Sequence, residues 1–180
     1  MLYSYKELLQ KYGNRYNIEK ALKNKKIYRL DKDIYSEKSF INPLILYSKK
    51  YPYAVITMDS AFYYYNLTDV IPNKTYLATP RNARIIKNQE IEQIFMDKSI
   101  LDAGKSIVKV NNEDVYMYDK ERLLIELIRK RKQIPFDYYK EIIANYREIV
   151  DELDMYKIEQ YLSLFKNDLN LSDALQREVF

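Results

Sequence analysis

The chain contains no cysteine and no histidine among its 180 residues. Without them there is no thiol nucleophile, no disulfide, no Cys/His zinc centre and no Ser-His or Cys-His relay. Glycine is nearly as scarce, with only Gly13 and Gly104 present. A Walker loop, a dinucleotide fingerprint or a kinase glycine loop each needs several glycines at fixed spacing, so none can be written here. Long apolar runs are missing too. No stretch approaches the roughly 20 apolar residues of a membrane helix. The opening Met1-Leu2-Tyr3 meets Lys6 and Glu7 without the apolar run of a signal peptide. These absences lead to the expectation of a soluble, cytoplasmic protein with no cofactor, no metal and no membrane partner. They also argue against the familiar hydrolase and kinase mechanisms.

What is abundant is tyrosine, at 20 residues, beside many Lys, Asn and Ile. AT-rich codons encode this whole set, so an aromatic binding surface does not follow from the tyrosine count alone. Charge is more informative. The net charge of +4 divides into 12 Lys+Arg against 5 Asp+Glu (+7) over residues 1–50, and 18 against 21 (−3) over the rest. A cationic front is what a nucleic-acid-binding module carries. A chain of this length is long enough for two compact units.

Local patterns agree. Ser4 caps an expected helix through Lys6 to Tyr12, and Gly13 supplies the left-handed residue that ends it. Asn14 then opens a second amphipathic helix, Arg15 to about Lys25, with Ile18, Ala21 and Leu22 facing inward. Helix, glycine turn, helix is the helix-turn-helix pattern. Ile27 to Leu30 and Ile34 to Tyr35 read as a hairpin around Asp31-Lys32-Asp33, a candidate wing. Asn42-Pro43 starts a short helix that Pro52 closes. The expected division is a winged helix-turn-helix over 1–37, a connection over 38–52 and a C-terminal domain over 53–180.

In that domain Thr57 is expected to cap a helix through Tyr65, with Asn66 left-handed beyond its end and Leu67 folding back toward Phe62. Pro72-Asn73-Lys74 turns into a strand from Thr75 to Thr79 that Pro80 ends. Further strands are expected at Ile91 to Met96, Ser106 to Val110 and Val115 to Tyr118. From Asp119 the period becomes helical, with helices expected at Glu121 to Lys132, Pro135 to Arg147, Asp154 to Phe165 and Ser172 to Val179. The fold class expected is α+β: an N-terminal winged helix-turn-helix followed by an α/β domain ending in several helices.

Three groups of residues could carry chemistry. A recognition helix would direct Arg15, Tyr16, Asn17, Lys20, Lys23 and Asn24 to a major groove, Arg and Asn reading base edges and Lys pairing with phosphate. Lys25, Lys26, Arg29 and Lys32 would add backbone contacts near the wing. Alternatively these are solvated cations on an interaction domain, or a face for an acidic protein. Arg129-Lys130-Arg131-Lys132 could grip phosphate or simply complement a helix dipole. The acids Glu113, Asp114, Asp119, Asp151, Glu152 and Asp154 could hold Mg²⁺, although two of them suit helix caps. A metal-dependent nuclease, or an enzyme that covalently modifies a partner protein, is the enzymatic rival. The expectation is a protein that is not an enzyme.

The segment AVITMDSAFYYYNLTDVIPNKTYLATPR, with VYMYDKERLLIELIRKR and IYRLDKDIYS, resembles the AbiEi family of type IV antitoxins, and the likeness runs over nearly the whole chain. Asn66 stands where that family usually has glycine, Tyr65 where histidine is common, and Lys32-Asp33 where Arg-Gly is usual. Two clear helices precede the hairpin instead of three. The resemblance implies a winged-helix autorepressor bound, as two copies, to inverted repeats in operator DNA upstream of its own operon. It also implies an antitoxin opposing a co-encoded nucleotidyltransferase-like toxin without a stable complex, in abortive infection and phage defence. Tyr63, Tyr64, Arg81 and Arg84 are the groups expected on the antitoxin surface.

Overall fold

A computed structural model of the chain describes residues 2–165 and 170–180. They belong to two compact units, Met1–Tyr51 and Pro52–Phe180.

The first unit runs β1 (Leu2–Tyr3), α1 (Tyr5–Tyr12), α2 (Arg15–Lys23), β2 (Tyr28–Asp31), β3 (Ile34–Ser36), α3 (Pro43–Lys50). Helix α1 starts at a capping box in which the Ser4 hydroxyl accepts from the Glu7 N–H and the Glu7 carboxylate accepts from the Ser4 N–H at 2.6 Å. Gly13, at φ 81°, ends α1 by donating its N–H to the Leu9 carbonyl. Asn14 caps α2 one residue later, its side-chain oxygen accepting from the Asn17 N–H at 2.9 Å. The inward faces meet in one buried cluster of Leu8, Ile18, Ala21, Ile27 and Tyr35.

Helix α2 is shorter than its sequence pattern suggests. It ends at Lys23, because Lys25 turns left-handed at φ 53° and the Lys26 N–H reaches back to the Ala21 carbonyl at 2.9 Å. That is a Schellman-type stop carried by a lysine. Strand β1, unannounced by any alternation in the sequence, pairs antiparallel with β3 and completes a sheet of order β1-β3-β2. The hairpin turns on Lys32-Asp33, with Asp33 at φ 61° and its carboxylate accepting from the Tyr5 N–H at 2.9 Å. Helix α3 belongs to this unit, where Lys50 ion-pairs with Asp31.

The second unit comprises β4 (Val55–Ile56), α4 (Met58–Tyr64), β5 (Thr75–Pro80), β6 (Ile91–Met96), α5 (Lys98–Leu101), β7 (Lys105–Val110), β8 (Glu113–Tyr118), α6 (Lys120–Arg129), α7 (Phe136–Glu148), α8 (Met155–Ser163) and α9 (Asn170–Glu178). Its sheet is mixed, in the order β6-β5-β4-β8-β7, with β5/β6 and β4/β8 parallel. The chain is therefore α+β, with several helices in its C-terminal part.

Two local expectations need correction here. Thr57 precedes α4 but makes no capping bond; its hydroxyl is buried without a partner among the described residues, and Met58 beside it sits at φ 46°. Pro80 lies inside β5 as its last residue, opposite Met96, and Arg81 donates the next bond to the Met96 carbonyl at 2.8 Å. The end of α4 is as expected: Asn66 is left-handed at φ 56° and the Leu67 N–H donates to Phe62 at 2.8 Å.

Helix α6 is buried from Glu121 to Ile128, packed by α4, α8 and α9. Within it Arg122 and Glu126 both have no exposure and are joined at 2.7 Å. Arg122 also donates to the carbonyls of Ile100 and Ala103, at 3.0 and 3.2 Å. The turn that presents those carbonyls requires Gly104: at φ 78°, a Cβ there would lie 2.4 Å from the Arg122 Cβ.

Candidate nucleic-acid interface

The candidate residues lie on α2, the turn that follows it and the β2–β3 hairpin, with α1 and the Gly13-Asn14 turn leading into α2. Burying Ile18 and Ala21 fixes the rotation of α2, so positions 16, 20 and 23 come out on the opposite side at helical spacing. Tyr16, Lys20 and Lys23 are all exposed, Tyr16 at 71%. The helix has nine residues, which makes it roughly 14 Å long. A B-DNA major groove about 12 Å wide admits such an element.

The electrostatics follow from where the acids go. The first unit has five, and each is engaged internally. Glu7 holds the Ser4 cap, Glu19 pairs with Arg15 at 2.7 Å, Asp31 with Lys50, and Glu37 with Lys11 at 2.5 Å, while Asp33 accepts from Tyr5. Hydrogen bonding from Ser4 holds the Glu7 carboxyl below its ordinary pKa. Lys20, Lys23, Lys25, Lys26, Arg29 and Lys32 are exposed and have no acidic partner within ion-pairing distance among the described residues. Cations left free by internal pairing of the acids are what a phosphate backbone engages.

Not all the candidates stand equally free. Asn17 is exposed, but its amide donates to the Tyr12 carbonyl at 2.9 Å and ties α2 to the end of α1. Arg15 is exposed yet committed to Glu19 through its Nε. Asn24 and Lys25 lie at the stop of α2, and Lys26 follows them toward β2. Both local engagements span five residues or fewer, so helical spacing could have shown them.

The residues expected on an antitoxin surface are not gathered into one patch. Tyr63 is exposed, whereas the half-buried Tyr64 donates its hydroxyl to the Lys109 carbonyl of β7 at 3.1 Å. Arg81 pairs with Asp97 at 3.1 Å, just past β6, and Arg84 is exposed beyond β5. Strands β6 and β7 are opposite edges of the sheet, so Arg81 and the Tyr64 hydroxyl stand on the order of 15 Å or more apart.

Six of the ten other sequence candidates have structural duties. Arg129 serves Glu126 and stacks on Phe165 at 3.9 Å, and Arg131 donates to the Ile128 carbonyl at the end of α6. Asp119 caps α6 and Asp154 caps α8, while Asp114 and Glu152 pair with Lys109 and Lys120. Among the described residues no group of acids is arranged to hold a metal ion, and no helix is long and apolar enough to cross a membrane. Neither a scan against protein-family models nor a search of the curated proteins finds a match for this chain.

Proposed function

We propose that the first unit is a winged helix-turn-helix that docks α2 in the major groove of operator DNA, with the β2–β3 hairpin as its wing. The observation that carries this is the pairing pattern: every acid of the unit is occupied, and of the nine exposed cations without an acidic partner among the described residues six lie on α2, its C-terminal stop and the hairpin, the other three being Lys6, Lys38 and Lys49. Tyr16 adds an aromatic surface among them, and Asn24 and the Arg15 nitrogens not engaged by Glu19 offer donors for base edges. An inverted repeat would be occupied by two copies of the chain.

In the wider reading the chain is an AbiEi-like antitoxin and autorepressor, cytoplasmic, which opposes a nucleotidyltransferase-like toxin without forming a stable complex with it and without catalysis of its own. That part rests on the sequence likeness of the segment spanning α4 and β5 and of the segment spanning β8 and α6.

The test is fluorescence anisotropy of the full chain on DNA from upstream of its own gene, across a salt series. Lys20→Ala and Lys23→Ala should each flatten the log-log salt slope by about 0.9. Arg15→Ala should in addition relax sequence preference. If the triple alanine variant at Arg15, Lys20 and Lys23 binds like the wild type, α2 is not the recognition helix.

A further inference from the structure

The second unit contains a half-open cavity of about 630 Å³ that DNA binding does not use. Its size lies in the range of small-ligand sites, and its make-up is theirs too: apolar walls with a few converging polar groups. Val70, Ile94, Ile134 and Pro135 supply the walls, while Asp59, Tyr76 and Tyr138 converge from α4, β5 and α7.

Three features set this cavity apart from a packing gap. Asp59 is half-buried and has no cationic partner within ion-pairing distance among the described residues; burial raises its pKa, against the pull of the Tyr76 and Tyr138 hydroxyls beside it. The Tyr138 hydroxyl is itself buried and makes no hydrogen bond of good geometry among the described residues. A buried polar atom left unmatched is uncommon and calls for a role. Finally Met58, which precedes Asp59 and also lines the cavity, is held at φ 46° with only 4% exposure. A bulky residue is rarely left-handed, and such strain gathers where a side chain must be aimed.

Charge selects the ligand. Asp59 and Glu92 line the cavity, and Glu141 stands beside Tyr138. Of the cations nearby, Lys74 is paired with Glu92 at 2.8 Å, and Lys130 lines the wall without reaching ion-pairing distance of Asp59. An anion would meet carboxylates. A cation at Asp59 would meet a carboxylate, phenol rings and an unmatched hydroxyl oxygen.

We propose that this cavity binds an organic cation, an alkylammonium or alkylguanidinium head on an apolar stem, with the head seated at Asp59, Tyr76 and Tyr138. The stem lies along the aliphatic wall. The head can belong to a free amine or to a basic side chain of a peptide; the chemistry recognised is the same.

The test is a two-dimensional NMR titration of the full chain with n-pentylamine, n-pentylguanidine, N-acetyl-arginine amide, n-pentanol and valerate. The cationic probes should shift resonances of residues lining the cavity, and the alcohol and carboxylate should not. Binding by the blocked amino acid alone identifies a peptide side chain as the source, and binding by the free amine alone identifies a small molecule. Asp59→Asn should weaken the cations by roughly tenfold or more while the fold is retained, since Asp59 holds no ion pair. Tyr138→Phe should weaken them less, and Lys130→Ala should tighten them by removing a like charge. DNA binding should be unchanged in all three, which separates this site from the proposed interface. Equal shifts by pentanol, an undiminished response in Asp59→Asn, or no response to any cation would overturn the proposal.

Discussion

Removing Glu126 should destabilise the protein more than removing the arginine it faces. Both Arg122 and Glu126 have no exposure, so neither charge can be rescued by water. An arginine keeps its charge in any protein setting. Glu126→Leu therefore strands a buried cation whose remaining partners are two carbonyls, the Met96 sulfur and the rings of Tyr118 and Phe165. The expected cost is about 3–5 kcal/mol. Arg122→Met leaves Glu126 better provided, because Arg129 still donates to both of its carboxylate oxygens at 3.2 and 3.0 Å. What is lost is the donor for the Ile100 and Ala103 carbonyls, worth roughly 2 kcal/mol together. The double variant Arg122→Met with Glu126→Leu should cost less than the sum of the two, since it removes the stranded charge along with its partner. Urea unfolding of the full chain, followed by circular dichroism and tyrosine fluorescence, gives the three values, provided that the slope with denaturant stays constant. If Arg122→Met costs as much as Glu126→Leu, Arg129 is not acting as a second counter-ion and the account of this network fails.

Two further outcomes are expected. Lys25→Gly should stabilise the first unit by up to about 1 kcal/mol, because it relieves the left-handed strain at φ 53° and loses part of the gain to glycine's greater unfolded entropy; the same change should flatten the salt slope of DNA binding by about 0.9. The pH dependence of stability should carry opposite signs at two carboxyls. Asp59 has a raised folded pKa, so its cost is absent in acid and grows as pH rises from the unfolded value through the folded one; Asp59→Asn should therefore gain stability over the wild type toward neutral pH. Glu7 has a lowered folded pKa, so its contribution is present above the unfolded value and lost as pH falls through the folded one, and Glu7→Gln should weaken that acid-side loss in urea titrations at stepped pH.

The parts of this fold that were legible in the sequence are those whose causes lie within a few residues. Ser4, Asn14, Asp119 and Asp154 cap the helices they precede, and Gly13 and Asn66 stop theirs, because a cap or a left-handed stop bonds to backbone one turn away. Strands β1 and β4 have two residues each, too few for alternation to register, and exist only through partners far along the chain. Lys25 and Met58 are left-handed although neither residue type favours it, so the conformation is imposed from outside the segment. The same division separates the two candidate sites. Tyr16, Lys20 and Lys23 share one helix, and a period of 3.6 places them on one face without any knowledge of the rest of the fold. Asp59, Tyr76 and Tyr138 come from three elements separated by 17 and 62 residues, and no spacing rule can join them. A site assembled by the tertiary fold has to be recognised by what it leaves unmatched, and here, among the described residues, that is a carboxyl without a cation beside a buried phenol hydroxyl that makes no hydrogen bond of good geometry.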